Sequence, residues 1–180
     1  MSKEWQIIIS GSGGQGVILA GIILASAALA DGKNVIQTQS YGPEARGGAS
    51  RSEVLISEQE LSFPKVQSCN LLVALTQQAL DKYVTLLEKD GVILTDTDIE
   101  TSQYESRHSV CKVPIFDAVQ TIGRPLVANI VTLGALNGLT KIVDVKHLET
   151  AIAARVPKPT IDLNLRAVHS GYNLTAGKEG

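Results

Sequence analysis

Cysteine is scarce in this chain: its 180 residues include two, Cys69 and Cys111. They form neither a CxxC pair nor a cluster with histidine, so the sequence predicts no metal site, neither zinc nor an iron–sulfur cluster. No disulfide framework is expected, and reduced thiols of this kind favour a cytoplasmic protein.

An excess of charge of one sign is also missing, because the formal net charge is −2. A basic field that would attract nucleic acid or an anionic lipid surface is therefore excluded. No apolar run reaches the roughly 18 residues of a membrane span. The opening residues MSKEWQIII lead directly into a predicted strand and lack the pattern of a signal peptide.

What the chain does contain is an alternation of apolar runs and helical patterns. An isoleucine-rich strand at 5–10 is followed by a glycine loop, a helix at 16–30 and a strand at 34–41. Further strands are predicted at 52–57, 70–75, 91–98 and 109–117, and further helices at 76–91, 128–140, 144–156 and 161–174. The small residues of the helix at 128–140 would allow close packing, and the last helix is expected to stop near Gly171. The fold class predicted is α/β: a single Rossmann-like domain over 1–180, with a mostly parallel sheet, helices on both faces and a mobile tail at about 175–180.

The first loop fits the pattern G-x-G-x-x-G through Gly11, Gly13 and Gly16, directly after a strand and at the start of a helix. Such glycines permit positive φ, and free amides at the helix start attract an anion. The acidic residue expected about 20 positions later for NAD is missing, since 37–39 reads QTQ. A Walker loop is excluded because no Lys-Ser/Thr pair follows Gly16.

Two interpretations of this loop remain open. The glycines could serve only a tight turn and close helix packing, or the loop could bind an anionic, nucleotide-like ligand. Gln15 favours the ligand, because a turn alone does not need that polar side chain. The candidate ligand-binding residues are Gly11, Gly13, Gly14, Gln15 and Gly16.

A second polar loop, GPEARGGASR at 42–51, follows the second strand. The carboxyl ends of parallel strands are where ligands and partners dock in open α/β sheets. Arg46 offers a planar fork for a carboxylate or phosphate, and a glycine pair allows another surface to come close. We expect the two loops to face each other on adjacent strands, with a mobile polar loop as the alternative. The candidates here are Tyr41, Glu44, Arg46, Gly47 and Gly48.

No independent catalytic machinery is evident, and no catalytic residue is predicted. The sequence lacks a G-x-S-x-G motif or a nucleophile with an identifiable histidine partner. His147 and His169 fall on predicted helix surfaces, where they are expected to be solvated. Asp96 and Asp98 could act as paired carboxylates, but a turn or helix-cap role fits their position at a strand end equally well.

Three segments together resemble one family. GSGGQGVILAGIILASAA, SYGPEARGGASRSEVLIS and ANIVTLGALNGL are similar to the gamma subunit of 2-oxoacid:ferredoxin oxidoreductases, and most similar to that of the 2-oxoglutarate enzyme. The resemblance covers nearly the whole chain. The family motifs fall on Gly11, Gly13, Gly14 and Gly16, and on Tyr41, Gly42, Pro43, Glu44, Arg46, Gly47 and Gly48.

The resemblance implies a complex that oxidatively decarboxylates a 2-oxoacid with coenzyme A, giving acyl-CoA, carbon dioxide and reduced ferredoxin. Thiamine diphosphate would lie between alpha and beta subunits, and iron–sulfur clusters in the beta or a delta subunit. This chain would hold no cofactor alone, would contact coenzyme A at the first loop, and would self-associate when isolated from its partners. One alternative is a free-standing Rossmann-like nucleotide-binding regulator. Another is a stand-alone dehydrogenase, but the missing carboxylate that would bind the ribose of NAD argues against it.

Overall fold

The computed structural model describes residues 4–40, 49–61 and 68–178. Within these residues six strands form one sheet, and six α-helices cover it. The strands are β1 (Trp5–Ser12), β2 (Asn34–Ser40), β3 (Ala49–Ser57), β4 (Cys69–Ala74), β5 (Leu87–Asp96) and β6 (Ser109–Val113). The helices are α1 (Val17–Ala30), α2 (Gln77–Tyr83), α3 (Ile115–Ile122), α4 (Ala128–Thr140), α5 (Val145–Ala153) and α6 (Ile161–Thr175).

The order of the strands is β2-β3-β1-β4-β5-β6. Strands β1, β4, β5 and β6 are parallel, whereas β3 runs antiparallel to both of its neighbours, β1 and β2. The mostly parallel α/β sheet is therefore confirmed. The predicted adjacency of the first two strands is wrong, because β3 lies between β1 and β2. These two strands still point the same way, since both are antiparallel to β3.

The alternation of side chains along β1 divides the interior into two cores. Ile7 and Ile9 lie in the larger core, under α1 and α3 to α6, while Ile8 lies in the smaller one with α2. All three isoleucines are buried, as expected for a central strand covered on both faces. Helices therefore cover both faces of the sheet, as predicted.

Helices α4 and α6 approach each other more closely than ordinary side chains would allow. Gly134 on α4 faces the backbone of Val168, and Gly171 on α6 faces the backbone of Val131. The close packing predicted for the small residues of α4 is present. The prediction that the last helix stops near Gly171 is wrong, because this glycine lies within α6 as a packing position and the helix continues to Thr175. The side chain of Thr175 is buried, and the tail beyond it stays a prediction.

The helix predicted at 76–91 is shorter than its apolar spacing indicated. Helix α2 begins after Thr76, whose hydroxyl accepts a hydrogen bond from the Ala79 amide, and it ends at Tyr83. One 3-10 turn follows, and β5 starts at Leu87, which pairs with Cys69 of β4. Leu87 packs in the same core as Leu80 and Tyr83, so the spacing reflects a shared core and not a continuous helix.

Helix α3 was not predicted, because the segment 109–117 reads as a strand running into a turn. The strand is present as β6, and Pro114 then precedes the first helical residue. Gly123 ends the helix with φ of 78°, the left-handed conformation that favours glycine. A proline before an apolar stretch and a glycine after it are the sequence signals that could have identified this helix.

A cluster around Asp31 joins the end of α1 to the start of α5. The Asp31 carboxylate contacts the His147 ring, accepts a hydrogen bond from the Asp144 amide (2.9 Å) and pairs with Lys33 (3.4 Å). His147 therefore contacts a carboxylate and is not simply solvated. Burial works against the charged form of Asp31, but the bonds to His147, Asp144 and Lys33 outweigh it and hold the pKa of this carboxyl below 3.8.

The Asp31→Asn substitution is expected to cost stability near neutral pH and much less in acid. A carboxyl whose pKa is lowered by folding stabilises the fold above its unfolded pKa, and this contribution is lost as pH falls through the folded pKa. The gap in melting temperature between wild type and variant should therefore narrow from pH 6 towards pH 2.5. The exposed Glu60→Gln variant is the control, and a constant gap for Asp31→Asn would contradict the assignment.

Candidate functional site

The first glycine loop lies between the end of β1 at Ser12 and the start of α1 at Val17. Gly14 and Gly16 have φ of 87° and 72°, so both occupy the left-handed region that disfavours other residues. A side chain at Gly16 would also lie 2.7 Å from Nδ2 of Asn129. Glycine at these two positions is thus required by the fold of the loop itself.

Gly13 differs from the other glycines of the loop. It has no positive φ, and a Cβ added there would meet nothing within 4 Å. An alanine could therefore occupy this position in the chain as the structure describes it. Nothing in the described part of the chain requires glycine at position 13, and the close approach of a ligand would supply a reason for it.

Gln15 closes the loop on itself. Its Oε1 accepts a hydrogen bond from the Ser12 amide (2.7 Å), and its own amide donates to the Ser12 carbonyl (3.3 Å). The interpretation that a turn would not need this side chain is wrong, because Gln15 ties the two ends of the turn together. A role for Gln15 in ligand binding stays a prediction.

The start of α1 is open to an anion. In the described part of the chain no side chain caps its first amides, and no acidic residue occupies its first turn. A depression of about 230 Å³ lies against it, lined by Ser12, Gly13, Gly14, Gly16, Val17, Ile18 and Ser50. The positive end of the helix dipole and uncapped amides at such a surface suit a phosphate group.

The second loop was predicted at 42–51, but the assignment of residues 49–51 to it is wrong, because β3 already begins at Ala49. The rest of the loop and Tyr41 before it fall at 41–48, outside the described residues, so Tyr41, Glu44, Arg46, Gly47 and Gly48 stay predictions. Both of its ends are described. Ala49 of β3 pairs with Ser12 of β1, and Ser50 lines the depression beside the first loop. The second loop therefore leaves and enters the sheet at the edge where the glycine loop lies.

An ion pair between a half-buried arginine and a buried glutamate lies where β3 leaves the second loop, and it was not predicted from the sequence. Arg51 pairs with Glu53 (2.8 Å), whose other oxygen accepts a hydrogen bond from the Thr38 hydroxyl (2.8 Å). The Tyr83 ring lies under the Arg51 guanidinium, 5.2 Å from it, and its hydroxyl donates to the Ala49 carbonyl (3.0 Å). The alternation of charges in the segment SRSEV was the signal, because it places Arg51 and Glu53 on one face of the strand.

The remaining candidates have structural partners. Asp96 accepts hydrogen bonds from the amides of Asp98 and Phe116 (both 2.9 Å), which fulfils the turn and cap role weighed for it. Nε2 of His169 on α6 lies 2.6 Å from Oε1 of Glu149 on α5. Cys69 is buried in the smaller core, and burial raises its pKa to about 12, so this thiol packs and does not react.

Comparisons with known proteins agree with this geometry. The family profile of pyruvate ferredoxin/flavodoxin oxidoreductases matches residues 6–174. The chain is 50% identical to the 2-oxoglutarate synthase subunit KorC of Methanocaldococcus jannaschii, covering 97% of this chain and 94% of that subunit. The crystal structure of the keto/oxoacid ferredoxin oxidoreductase gamma subunit from Geobacter sulfurreducens superposes with a TM-score of 0.87 at 42% identity, over 99% of both chains.

A third likeness concerns the fold alone. The 2-oxoglutarate:ferredoxin oxidoreductase of Magnetococcus marinus, solved with 2-oxoglutarate, coenzyme A and succinyl-CoA bound, superposes with a TM-score of 0.88 at 20% identity. The match covers 97% of this chain and 31% of the Magnetococcus chain. The same α/β domain thus forms part of a longer polypeptide there.

The chain belongs to the pyruvate ferredoxin/flavodoxin oxidoreductase family. Within it, the resemblance to gamma subunits of 2-oxoacid:ferredoxin oxidoreductases is confirmed, and the chain is a subunit of an oxidoreductase of this class. Among the helices that the structure describes, none has the length and apolar character needed to cross a membrane.

Proposed function

We propose that the chain is the gamma-type subunit of a 2-oxoglutarate:ferredoxin oxidoreductase. The complex would convert 2-oxoglutarate and coenzyme A into succinyl-CoA and carbon dioxide and pass two electrons to ferredoxin. The identity of 50% over nearly its whole length to a 2-oxoglutarate synthase subunit carries this choice of substrate. A panel of 2-oxoglutarate, pyruvate and 2-oxoisovalerate on the purified complex tests it, and preference for another 2-oxoacid would contradict it.

The redox chemistry is assigned to other subunits. Two cysteines in the whole chain are too few to ligate an iron–sulfur cluster. The family resemblance implies that thiamine diphosphate would lie between alpha and beta subunits, and the clusters in the beta or a delta subunit. The isolated chain should not oxidise a 2-oxoacid, and activity should require the partner subunits.

The glycine loop is proposed to hold the pyrophosphate of coenzyme A. Two features support this role: the uncapped start of α1 and the depression against it. Amides at a helix start donate to phosphate oxygens without a charged side chain. The coenzyme A found in the Magnetococcus enzyme, which shares this fold, supports a coenzyme A-related role for the domain.

Gly13→Ala is expected to raise the KM for coenzyme A about tenfold, which corresponds to ~1.4 kcal/mol of lost binding. Among the described residues nothing obstructs a Cβ at this position, so the effect would come from the ligand's approach. The KM for 2-oxoglutarate and the melting temperature of the chain should stay the same. Steady-state kinetics of the reconstituted complex with varied coenzyme A measures the effect.

The matched control is Leu29→Ala, at the far end of the same helix, where the side chain is exposed. Its KM for coenzyme A should equal that of the wild type. An unchanged KM in the Gly13→Ala complex would remove coenzyme A from this loop. Tight binding of NAD or ATP by the isolated chain in calorimetry would instead favour the nucleotide-binding regulator.

A further inference from the structure

A groove outside the glycine loop lies where α1, the start of α4 and the turn before α6 meet. Its volume is about 460 Å³, and its walls include Leu19, Ile130, Val156 and Leu163. Pro157 and Pro159 form one side, where proline restricts the backbone. We call this feature the Leu126 groove, after the residue at its rim.

Leu126 is unusual for a surface residue. It belongs to the 3-10 turn Pro125–Val127 and is 87% exposed, the most exposed large apolar side chain of the described residues. A bare leucine beside an apolar groove forms the kind of surface patch that marks interaction sites. A small molecule inside the groove would leave most of the Leu126 side chain in water. A macromolecular surface would cover both this side chain and the groove.

The charge of the groove has one sign. Arg124 and Arg155 line it, and both are exposed. Among the described residues neither arginine forms a salt bridge, and no carboxylate lines the groove. Two guanidinium groups without partners around an apolar floor complement a surface that carries carboxylates.

Asn129 joins the groove to the glycine loop. Its side chain is 4% exposed and lines the groove, and its Nδ2 donates to the carbonyl of Gly16 (3.3 Å). Its Oδ1 is buried and finds no donor among the described residues. Asn129 therefore links the wall of the groove directly to the backbone of the glycine loop.

We propose that the Leu126 groove is the docking surface for an acidic segment of a partner subunit. The segment places an apolar side chain between Leu19 and Leu163, covers Leu126 and directs carboxylates to Arg124 and Arg155. The proposal rests on the proposed function only in so far as the chain works inside a complex. Because Asn129 lines the groove and donates to Gly16, a segment docked in the groove also lies next to the glycine loop.

The test measures how tightly the purified chain binds the remaining subunits of the complex, and compares the wild type with two variants. Arg124→Glu combined with Arg155→Glu should weaken binding to the remaining subunits at least tenfold, and added salt should weaken the wild-type complex more than the variant. Leu126→Asp should weaken binding to a similar degree. All these side chains are exposed, so the melting temperature of the isolated chain should not change.

Arg166→Glu is the matched control, an exposed arginine on α6 outside the groove, and it should assemble as the wild type does. A benzophenone side chain in place of Leu126 in the assembled complex should cross-link to a partner peptide rich in Asp or Glu. Wild-type assembly by the charge-reversed variant, or cross-linking only to a second copy of this chain, would overturn the proposal. A complex that oxidises another 2-oxoacid but shows these assembly defects would refute the proposed substrate and leave the docking surface standing.

Discussion

Gly171→Ala should destabilise the chain by about 3 kcal/mol, although glycine to alanine in an exposed helix stabilises by about 1 kcal/mol. The added Cβ would overlap the carbonyl of Val131 and would lie 3.0 Å from the Ala135 amide nitrogen. Both obstacles belong to the backbone of α4, so no side-chain rotation can relieve the overlap. The helices would have to separate and lose contacts that both now make.

Urea denaturation of the isolated chain measures this effect. The midpoint should fall with little change in slope, and the melting temperature should drop by roughly 10 °C for a domain of this size. Arg166→Ala, an exposed position on the same helix, should stay within about 0.5 kcal/mol of the wild type. A Gly171→Ala variant as stable as Arg166→Ala would mean that α4 and α6 do not meet as closely as described.

The same glycine illustrates how far the sequence leads. Runs of small and apolar residues located α1 and α4 correctly, because most of their residues are buried, and the start of α6 was also located correctly. A glycine near the end of a helical pattern has two meanings, a C-cap or a close contact. The partner backbone that distinguishes them is distant in sequence, so local reading placed the helix end at Gly171.

The order of the strands in the sheet could not be predicted from the sequence, for a similar reason. Each strand was recognisable by its own apolar content, but β3 lies between β1 and β2 through pairings that no local pattern encodes. Leu87 was assigned to a helix because its spacing from Leu80 fits one. In the structure the two residues share a core, but Leu87 pairs with Cys69 in the sheet. Long-range pairing overrode local spacing in both places.

For the candidate site, the sequence identified the glycine loop and the edge of the sheet where it lies. It could not tell which glycines the fold requires, since that depends on φ at Gly14 and Gly16 and on Asn129, 113 positions away. Gln15 was interpreted as a ligand contact because the sequence does not show the direction of its side chain. In the structure this side chain turns back and accepts a hydrogen bond from the Ser12 amide. The second loop at 41–48 stays a prediction.

Arg51→Met is expected to cost about 2–3 kcal/mol, less than the 3–5 kcal/mol typical of a fully buried pair because Arg51 keeps a quarter of its surface in solvent. The reason is the charge it leaves behind. Glu53 is 5% exposed, and without the guanidinium its carboxylate would keep only the Thr38 hydroxyl as a described side-chain donor. Methionine retains much of the apolar stem that packs near Tyr83, so the loss reports mainly on charge.

A double-mutant cycle separates charge from packing. Adding Glu53→Gln to Arg51→Met removes the uncompensated charge and keeps an oxygen for Thr38, so the double variant should recover at least 1 kcal/mol relative to Arg51→Met alone. Strictly additive losses would show that the pair is not coupled. Arg51 lies two residues from Ala49, where the chain re-enters the sheet beside Ser12. Arg51→Met should therefore also hasten proteolytic cleavage at 41–48. The double variant should reverse part of that change. The stability of this ion pair would then determine how firmly β3 holds the point at which the chain re-enters the sheet.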